Sequence, residues 1–454
     1  VKAYIPKSPV QPEPFSLYRE SPNKFYVPRY FGQDTFGDFS ENKLSRGDDI
    51  DIEFNGELRD FQKNIVDKYI HFVKDSGGGL LDVDPGKGKT VMGLYIISKL
   101  KKKTLVIVHK SFLLNQWIER IQQFLPTARV GKIQGQIIDI EDKDIVIGML
   151  QSLSQKDYPD NLFDSFGLSI YDETHHLGAE VFSRCMMKTI TNYTLGLSGT
   201  MQRKDGLTKV FKMFLGDVVH KEKTDTSEHK VIVKSIHYKV DDDDFNEIKY
   251  DYRGNPLYST MISKLCNYNH RSEFIIQVLQ HELEENPEQQ IMILAHNKSL
   301  ITYLYKSIEH RNIATVGYYI GGMKEADLKT SEGKKVIIAT YAMASEGLDI
   351  KTLTTLIMAS PKTDVCQSVG RILRTKHTSP LVIDIVDSHV IFEKQWQKRR
   401  QYYMKQKYNI ISIDSHSYMT GNWQTVYDPS KSVESMKRIK QKEEPLKGVC
   451  LIKL

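Results

Sequence analysis

Cysteine is scarce in this chain and badly placed for structure-building chemistry. Cys185, Cys266, Cys366 and Cys450 are its four, widely scattered and without C-x-x-C spacing. That pattern excludes a zinc module and a secreted disulfide framework, and it predicts an intracellular, reducing compartment, cytoplasm or nucleus. Long hydrophobic runs are missing too. No apolar stretch is long enough to span a bilayer and no charged-then-apolar leader is present, so no membrane partner is expected. Position 1 is Val, which predicts that the natural start lies upstream or is processed, and Cys450 stands one place too early for a prenylation box. An excess of charge of one sign is nearly absent: 63 Lys and Arg stand against 57 Asp and Glu, and the net +6 is only a mild pull toward polyanions.

What is present is length and alternation. A chain of 454 residues exceeds one ordinary core, so two or three domains are expected. Residues 1–50 are rich in Pro, Ser, Tyr and Phe without sustained period, which predicts an irregular arm or small appendage. From 51 to 223, the strand-like runs LLDV, TLVIVH, DIVIGML, LSIYDE and TLGLS alternate with helical stretches. A second alternation, 289–390, holds IMILAH, TVGYY, KVIIAT, TLIMAS and LVIDIV. Such alternation predicts α/β architecture: two tandem units, each a parallel sheet covered by helices. Residues 224–288 read as a connecting segment whose acidic run, Asp241 to Asp244, is a solvated turn, and 391–454 as a basic, helical C-terminal tail. Trp117 and Trp396 read as packing residues.

Two segments carry phosphate chemistry. Residues 82–90, DVDPGKGKT, fall where a strand turns into a helix. Asp84, Pro85, Gly86, Lys87 and Gly88 would form a loop whose glycines let backbone wrap phosphate oxygens, with the new helix presenting its N–H groups. Lys89 adds a point charge at the β and γ phosphates, and Thr90 a hydroxyl for Mg²⁺. Val83 stands where the long phosphate-loop pattern has its first Gly, so the match is to the shorter G-x-G-K-T form. Residues 171–176, YDETHH, end another strand-like run. Asp172 suits the metal, Glu173 suits polarising the attacking water, and His175 completes Asp-Glu-x-His. An isolated Asp-Glu pair after a strand is ordinarily a solvated loop; a preceding phosphate loop reverses that reading. The second unit has no phosphate loop and carries instead QSVGRILR, 367–374, where Arg371 and Arg374 share one helix face and suit the γ phosphate.

Read in order, LRDFQ (58–62), the phosphate loop, TLVIVHKSFLLNQW (104–117), DETH, SGTMQRKDG (198–206), ATYAMASEGLDI (339–350) and QSVGRILR resemble the motif series of superfamily-two DExH helicases, over roughly residues 55–405. RKDG and the tail FEKQWQKRRQYYMKQKYNI (392–410) are most similar to the XPB-like branch, with its phage and large-DNA-virus members. The resemblance implies RecA-like domains and ATP with Mg²⁺ as cofactors. It implies that Gln62, with Arg59 beside it, reads adenine. Gly347 and Asp349 would face ribose and phosphate, and Gln367, Arg371 and Arg374 would sense the γ phosphate. Ser198, Thr200 and His175 would couple the two domains, with Gly199 where Ala is usual. Lys110, Gln151, Ser152 and Thr340 would hold nucleic-acid backbone. For a viral chain the resemblance implies a viral factory or virion as further locations.

The mechanism implied is ATP binding in a cleft between the units, closing on Mg-phosphate through Lys89, Thr90 and Asp172 on one side and the arginines on the other. Hydrolysis then lets the cleft open, so the units alternately tighten on a strand. Three functions remain open: a DNA translocase or helicase, favoured; an RNA helicase or transcript-release factor; and a non-catalytic, nucleotide-switched nucleic-acid clamp. Transcription or repair proteins are the partners to expect beside nucleic acid, no zinc is needed, and a monomer suffices.

Overall fold

The computed structural model describes residues 1–3, 11–84, 87–159, 161–172, 179–199, 207–222, 231–345, 350–372 and 380–430. It divides into two compact units, Val1–Thr224 and Asp225–Leu454. Consecutive apolar residues dictate strands buried on both faces, and each unit is built on a run of them.

The first unit opens with a hairpin, β1 (Arg19–Ser21) and β2 (Lys24–Tyr26), and helix α1 (Arg29–Phe36). Then follow α2 (Asp60–Ser76), β3 (Gly78–Val83), α3 (Lys89–Leu100), β4 (Thr104–Val108), α4 (Ser111–Phe124), β5 (Val130–Gln134), β6 (Ile137–Ile138), β7 (Ile145–Met149) and α5 (Leu150–Gln155). The unit ends with β8 (Leu168–Asp172), α6 (Ala179–Met186), β9 (Tyr193–Ser198), α7 (Thr208–Leu215) and β10 (Val218–Glu222). The eight-stranded sheet runs β10-β3-β9-β8-β4-β7-β5-β6, parallel except for the edge pair β5–β6. Every residue of β3, β4, β7 and β8 is buried. Period-two alternation sends neighbours to opposite faces: Leu81 packs with Trp117 and Val66 on one side, Leu80 with Phe211 and Phe182 on the other. The described part of the N-terminal segment carries the hairpin and α1 and is tied to the rest of the unit. Its Arg29 Nη1 donates to the Asn192 carbonyl at 2.9 Å and Tyr30 Oη to the Ser76 carbonyl at 3.2 Å.

The second unit holds β11 (Ile232–Tyr238), α8 (Asp243–Asn246), α9 (Tyr258–Asn267), α10 (Asn269–Glu285), β12 (Gln290–Ala295), α11 (Lys298–His310), β13 (Val316–Tyr319), α12 (Glu325–Glu332) and β14 (Val336–Thr340). It continues with α13 (Tyr341–Ser345), β15 (Leu353–Met358), α14 (Cys366–Ile372), β16 (Leu381–Asp387), α15 (Val390–Lys405), β17 (Asn409–Asp414), a 3-10 turn (Ser415–Thr420) and β18 (Gln424–Tyr427). Its sheet runs β13-β14-β12-β15-β16-β11-β17-β18, again parallel except at one edge, β17–β18. The segment read from sequence as a connector therefore supplies an interior strand: β11 pairs with β16 on one side and β17 on the other. The tail likewise extends beyond a helix, since β17 and β18 complete the sheet. Polar residues interrupt both β11 (IVKSIHY) and β17 (NIISID), so neither shows a continuous apolar run like that of β4 (TLVIV) or β7 (IVIGM). The acidic run is a capped turn: the Asp242 carboxylate accepts from the Phe245 N–H at 2.9 Å, and Phe245 is buried. Among the described residues no helix is long and apolar enough to cross a membrane.

Candidate nucleotide and nucleic-acid site

In a parallel sheet the loops at the carboxyl ends of the strands share one edge, which is where ligands bind. Strands β3, β9 and β8 are neighbours, with Asp82 registered against Ser198 and Leu197 against Asp172. That adjacency gathers the phosphate loop, Ser198 and Asp172, which come from separate stretches of the chain, at one edge. Gly88 caps α3 in the left-handed region, φ 81°, which glycine adopts without strain. Lys89 follows as the first residue of α3, its Nζ donating to the Val83 carbonyl at 3.3 Å. Lys87 places its ammonium 5.2 Å from the Phe61 ring centre.

Gln62 is buried, and its amide is engaged at both ends: Oε1 accepts from the Arg59 N–H at 3.0 Å, and Nε2 donates to the Lys87 carbonyl at 2.8 Å. The side chain expected to read adenine thus also ties the start of α2 to the phosphate loop. Asp172 is only 6% exposed, and its Oδ2 accepts from the Trp117 indole Nε1–H at 2.9 Å. The Thr90 hydroxyl and the Asp172 carboxylate are hard oxygen donors, the set a magnesium ion takes together with phosphate and water. Ser198 is fully buried at the end of β9.

Next to β8 in the sheet come β4 and β7, and the residues expected to hold nucleic acid follow them. Lys110 caps α4 in extended conformation, with His109 between it and the end of β4. Gln151 Nε2 donates to the His109 carbonyl at 2.9 Å, and Ser152 Oγ accepts from the Gly135 N–H at 2.9 Å. Lys110, Gln151 and Ser152 are therefore brought to one place. Partial burial lowers the Lys110 ammonium from its ordinary value; a phosphate placed beside it would offset that desolvation.

In the second unit Thr340 ends β14, and its Oγ1 accepts from the Met343 N–H at 3.4 Å. Gln367 and Arg371 both lie on α14, four residues apart and so on one face; their side chains lie outside the described residues. So do Pro85, Gly86, Glu173, His175, Thr200, Gly347, Asp349 and Arg374.

Sequence pattern does not reveal the side chains that fix the approach to α14. Arg271 Nη1 donates to the Ala359 carbonyl at 2.8 Å, Tyr341 Oη to the Ser360 carbonyl at 2.6 Å, and Arg399 Nη1 to the Lys362 carbonyl at 2.6 Å. The Ser360 hydroxyl meanwhile accepts from the His296 N–H at 2.9 Å. Arg399 falls in a run that reads as surface charge, and nothing in its spacing marks it as buried.

The strand-loop-helix phosphate site at the edge of a parallel sheet, doubled by a second sheet of the same kind, defines a nucleoside-triphosphatase of the motor class. Two family models match: the type III restriction enzyme res subunit over residues 55–203, and the helicase conserved C-terminal domain over 273–376. A protein named as an ATP-dependent RNA helicase in Acanthamoeba polyphaga mimivirus is 38% identical over 419 residues, covering 90% of this chain and 80% of its own. Another named in the same way in African swine fever virus (isolate Pig/Kenya/KEN-50/1950) is 27% identical over 409 residues, 83% of this chain and 79% of its own. Among solved structures, S. cerevisiae Dbp5 bound to RNA and ADP BeF3 shares the fold, with TM-score 0.55 at 12% identity over 80% of this chain and 92% of that one. The chain belongs to the superfamily-two helicases. It is an ATP-hydrolysing helicase similar to those of large DNA viruses, and the reading as a clamp without turnover falls away.

Proposed function

We propose that this helicase uses ATP, with Mg²⁺, to move along DNA and separate its strands. The observation that carries the reading is the sharing of one sheet edge. The phosphate-loop end of β3, Ser198 and Asp172 occupy three adjacent strands, and the Lys110, Gln151 and Ser152 group follows on the next two. In this reading Lys89 holds the β and γ phosphates, Thr90 and Asp172 hold magnesium, and Glu173 polarises the attacking water. Gly347 and Asp349 take the role of ribose and phosphate contacts. Gln367, Arg371 and Arg374 act on the γ phosphate, while His175, Ser198 and Thr200 transmit its loss. Lys110, Gln151, Ser152 and Thr340 grip backbone phosphates, so binding tolerates any base sequence and weakens with salt.

DNA is favoured by the RKDG residues, 203–206, after the Ser198 motif, through their similarity to the XPB-like branch. A second reading, action on RNA or on a transcript, is favoured by the naming of the mimivirus and African swine fever virus relatives as RNA helicases. ATPase and strand-displacement assays on single-stranded DNA, forked DNA, single-stranded RNA and RNA–DNA hybrid separate the two. Stronger stimulation by DNA and displacement at a DNA fork support the first; stimulation by RNA alone overturns it.

A further inference from the structure

Trp117 has more to do than pack. It is fully buried in the middle of α4, yet its polar edge is directed at a carboxylate, Asp172 Oδ2, rather than at a backbone carbonyl. A side chain needed only to fill space would be Phe or Leu; a buried indole N–H must find a partner, and this one finds a group expected at the nucleotide. The neighbouring helix is shaped to admit it. A Cβ built on Gly93 of α3 would stand 3.1 Å from Trp117 Cη2, so the helix that begins with Lys89 and Thr90 carries a glycine where the indole passes.

The other end of α4 lies in the nucleic-acid group. Lys110 caps the helix, Gln151 holds the carbonyl of His109 just before it, and Gln134 Nε2 reaches the hydroxyl of Ser111, the first helical residue, at 3.5 Å. From Lys110 to Trp117 is two helical turns, roughly 10 Å of rigid rod at 1.5 Å per residue. A helix of fourteen residues packed on the sheet moves as a body, so a displacement at its cap arrives at the indole.

We propose that α4 is the coupling element of the first unit, and that Trp117 is a positioning residue for Asp172. The indole N–H fixes the carboxylate's rotamer. Engagement of a nucleic-acid phosphate at Lys110 shifts the cap of α4, and Trp117 passes that shift to the carboxylate. Nucleic acid thereby sets the geometry of the nucleotide site, and by linkage any change it makes in nucleotide affinity is matched by an equal change that nucleotide makes in the affinity for nucleic acid. This coupling rests on the reading that nucleic acid binds at the Lys110 edge.

The test is Trp117→Phe in the full chain, which keeps an aromatic ring and removes the N–H. A second variant, Gly93→Ala with Trp117→Phe, refills the vacated space without restoring the donor, so a defect from packing is rescued and a defect from the lost bond is not. The expected result is a roughly tenfold smaller stimulation of ATPase by oligonucleotide in both variants, within the range typical of coupling between sites. The affinity for a fluorescent oligonucleotide, measured with and without a non-hydrolysable ATP analogue, should lose most of its dependence on the analogue. In protein labelled with ¹⁵N-indole, the resonance absent from Trp117→Phe should move on Asp172→Asn and on adding oligonucleotide. Wild-type stimulation and wild-type coupling in Trp117→Phe overturn the proposal, as does rescue by Gly93→Ala. Should wild-type protein bind no nucleic acid, the reading of the Lys110 edge fails and the coupling with it; the response of the indole resonance to Asp172→Asn then reports separately on the positioning of the carboxylate.

Discussion

Arg399 and Asp384 form a buried two-point ion pair, Nε to Oδ2 at 2.7 Å and Nη2 to Oδ1 at 2.8 Å. Asp384 also accepts from Tyr403 Oη at 3.1 Å. Three residues along β16, Asp387 makes the matching pair with Arg271, at 2.6 and 2.8 Å. An odd spacing on a strand puts the two carboxylates on opposite faces. Arg399 comes from α15 on the face that holds Val382 and Trp396, Arg271 from α10 on the face that holds Ile383, Ile275 and Leu279. Both arginines then reach the strap that follows β15, at Ala359 and Lys362, so the lead into α14 is held from both sides of the sheet.

Arg399→Leu should cost about 3–5 kcal/mol, because it leaves Asp384 buried without its partner. The paired change Arg399→Met with Asp384→Leu should cost clearly less, since no charge is stranded. Denaturant unfolding of the full chain, followed by the fluorescence of Trp396 and Trp423 in the second unit, measures both. A loss below about 1 kcal/mol for the single change would place the pair among those that add little.

The sheets and the motifs were more legible in the sequence than what holds them. Strands such as β4 and β7 read directly from their apolar runs, and the phosphate loop and Asp172 from their position at strand ends. Arg271 and Arg399 were illegible because burial of a charge depends on its partner. For Arg271 that carboxylate is 116 residues away, and for Arg399 it lies on a strand whose contact with α15 only the tertiary fold sets. β11 was illegible for a similar reason: its neighbours β16 and β17 lie far along the chain, and only their pairing makes it an interior strand. The indole of Trp117 read as packing, and it is packed; that its N–H meets Asp172 follows from the adjacency of β4 and β8, which no local pattern encodes.

Gln62→Ala should raise the KM for ATP about tenfold, the loss of one to two hydrogen bonds to the site. Because the amide also ties Arg59 to the Lys87 carbonyl, the KM for GTP should rise as well. Steady-state kinetics with both nucleotides decides this, and an effect confined to ATP would leave the amide with base reading alone.

Glu173→Gln should lower kcat by about 10²–10⁴, the range for loss of a general base, while a fluorescent ATP analogue binds with nearly unchanged affinity. Turnover at the wild-type rate would remove Glu173 from the role proposed for it.

Arg371→Ala should lower kcat about a thousandfold with a smaller effect on nucleotide affinity, as expected where an arginine meets charge that develops in the transition state. Single-turnover hydrolysis beside equilibrium nucleotide binding makes the comparison. A change in affinity alone would assign Arg371 to ground-state binding.

His237 gives the second unit a dependence on pH. Its ring lies edge-on to Trp396 with centres 6.0 Å apart, and burial pulls the imidazole below its ordinary value, with Lys239 acting the same way and Asp414, Asp384 and Glu393 opposing. The unfolded chain, with an ordinary histidine near pH 6.5, therefore takes up the proton first as pH falls. Stability from this group is complete above about pH 6.5 and declines below it, toward the lowered value of the folded state. His237→Phe keeps a ring against Trp396 and has nothing to protonate, so the drop in denaturation midpoint between about pH 7.5 and about pH 5.5 should be smaller in the variant than in the wild type. Equal drops in the two proteins would show that His237 titrates alike folded and unfolded.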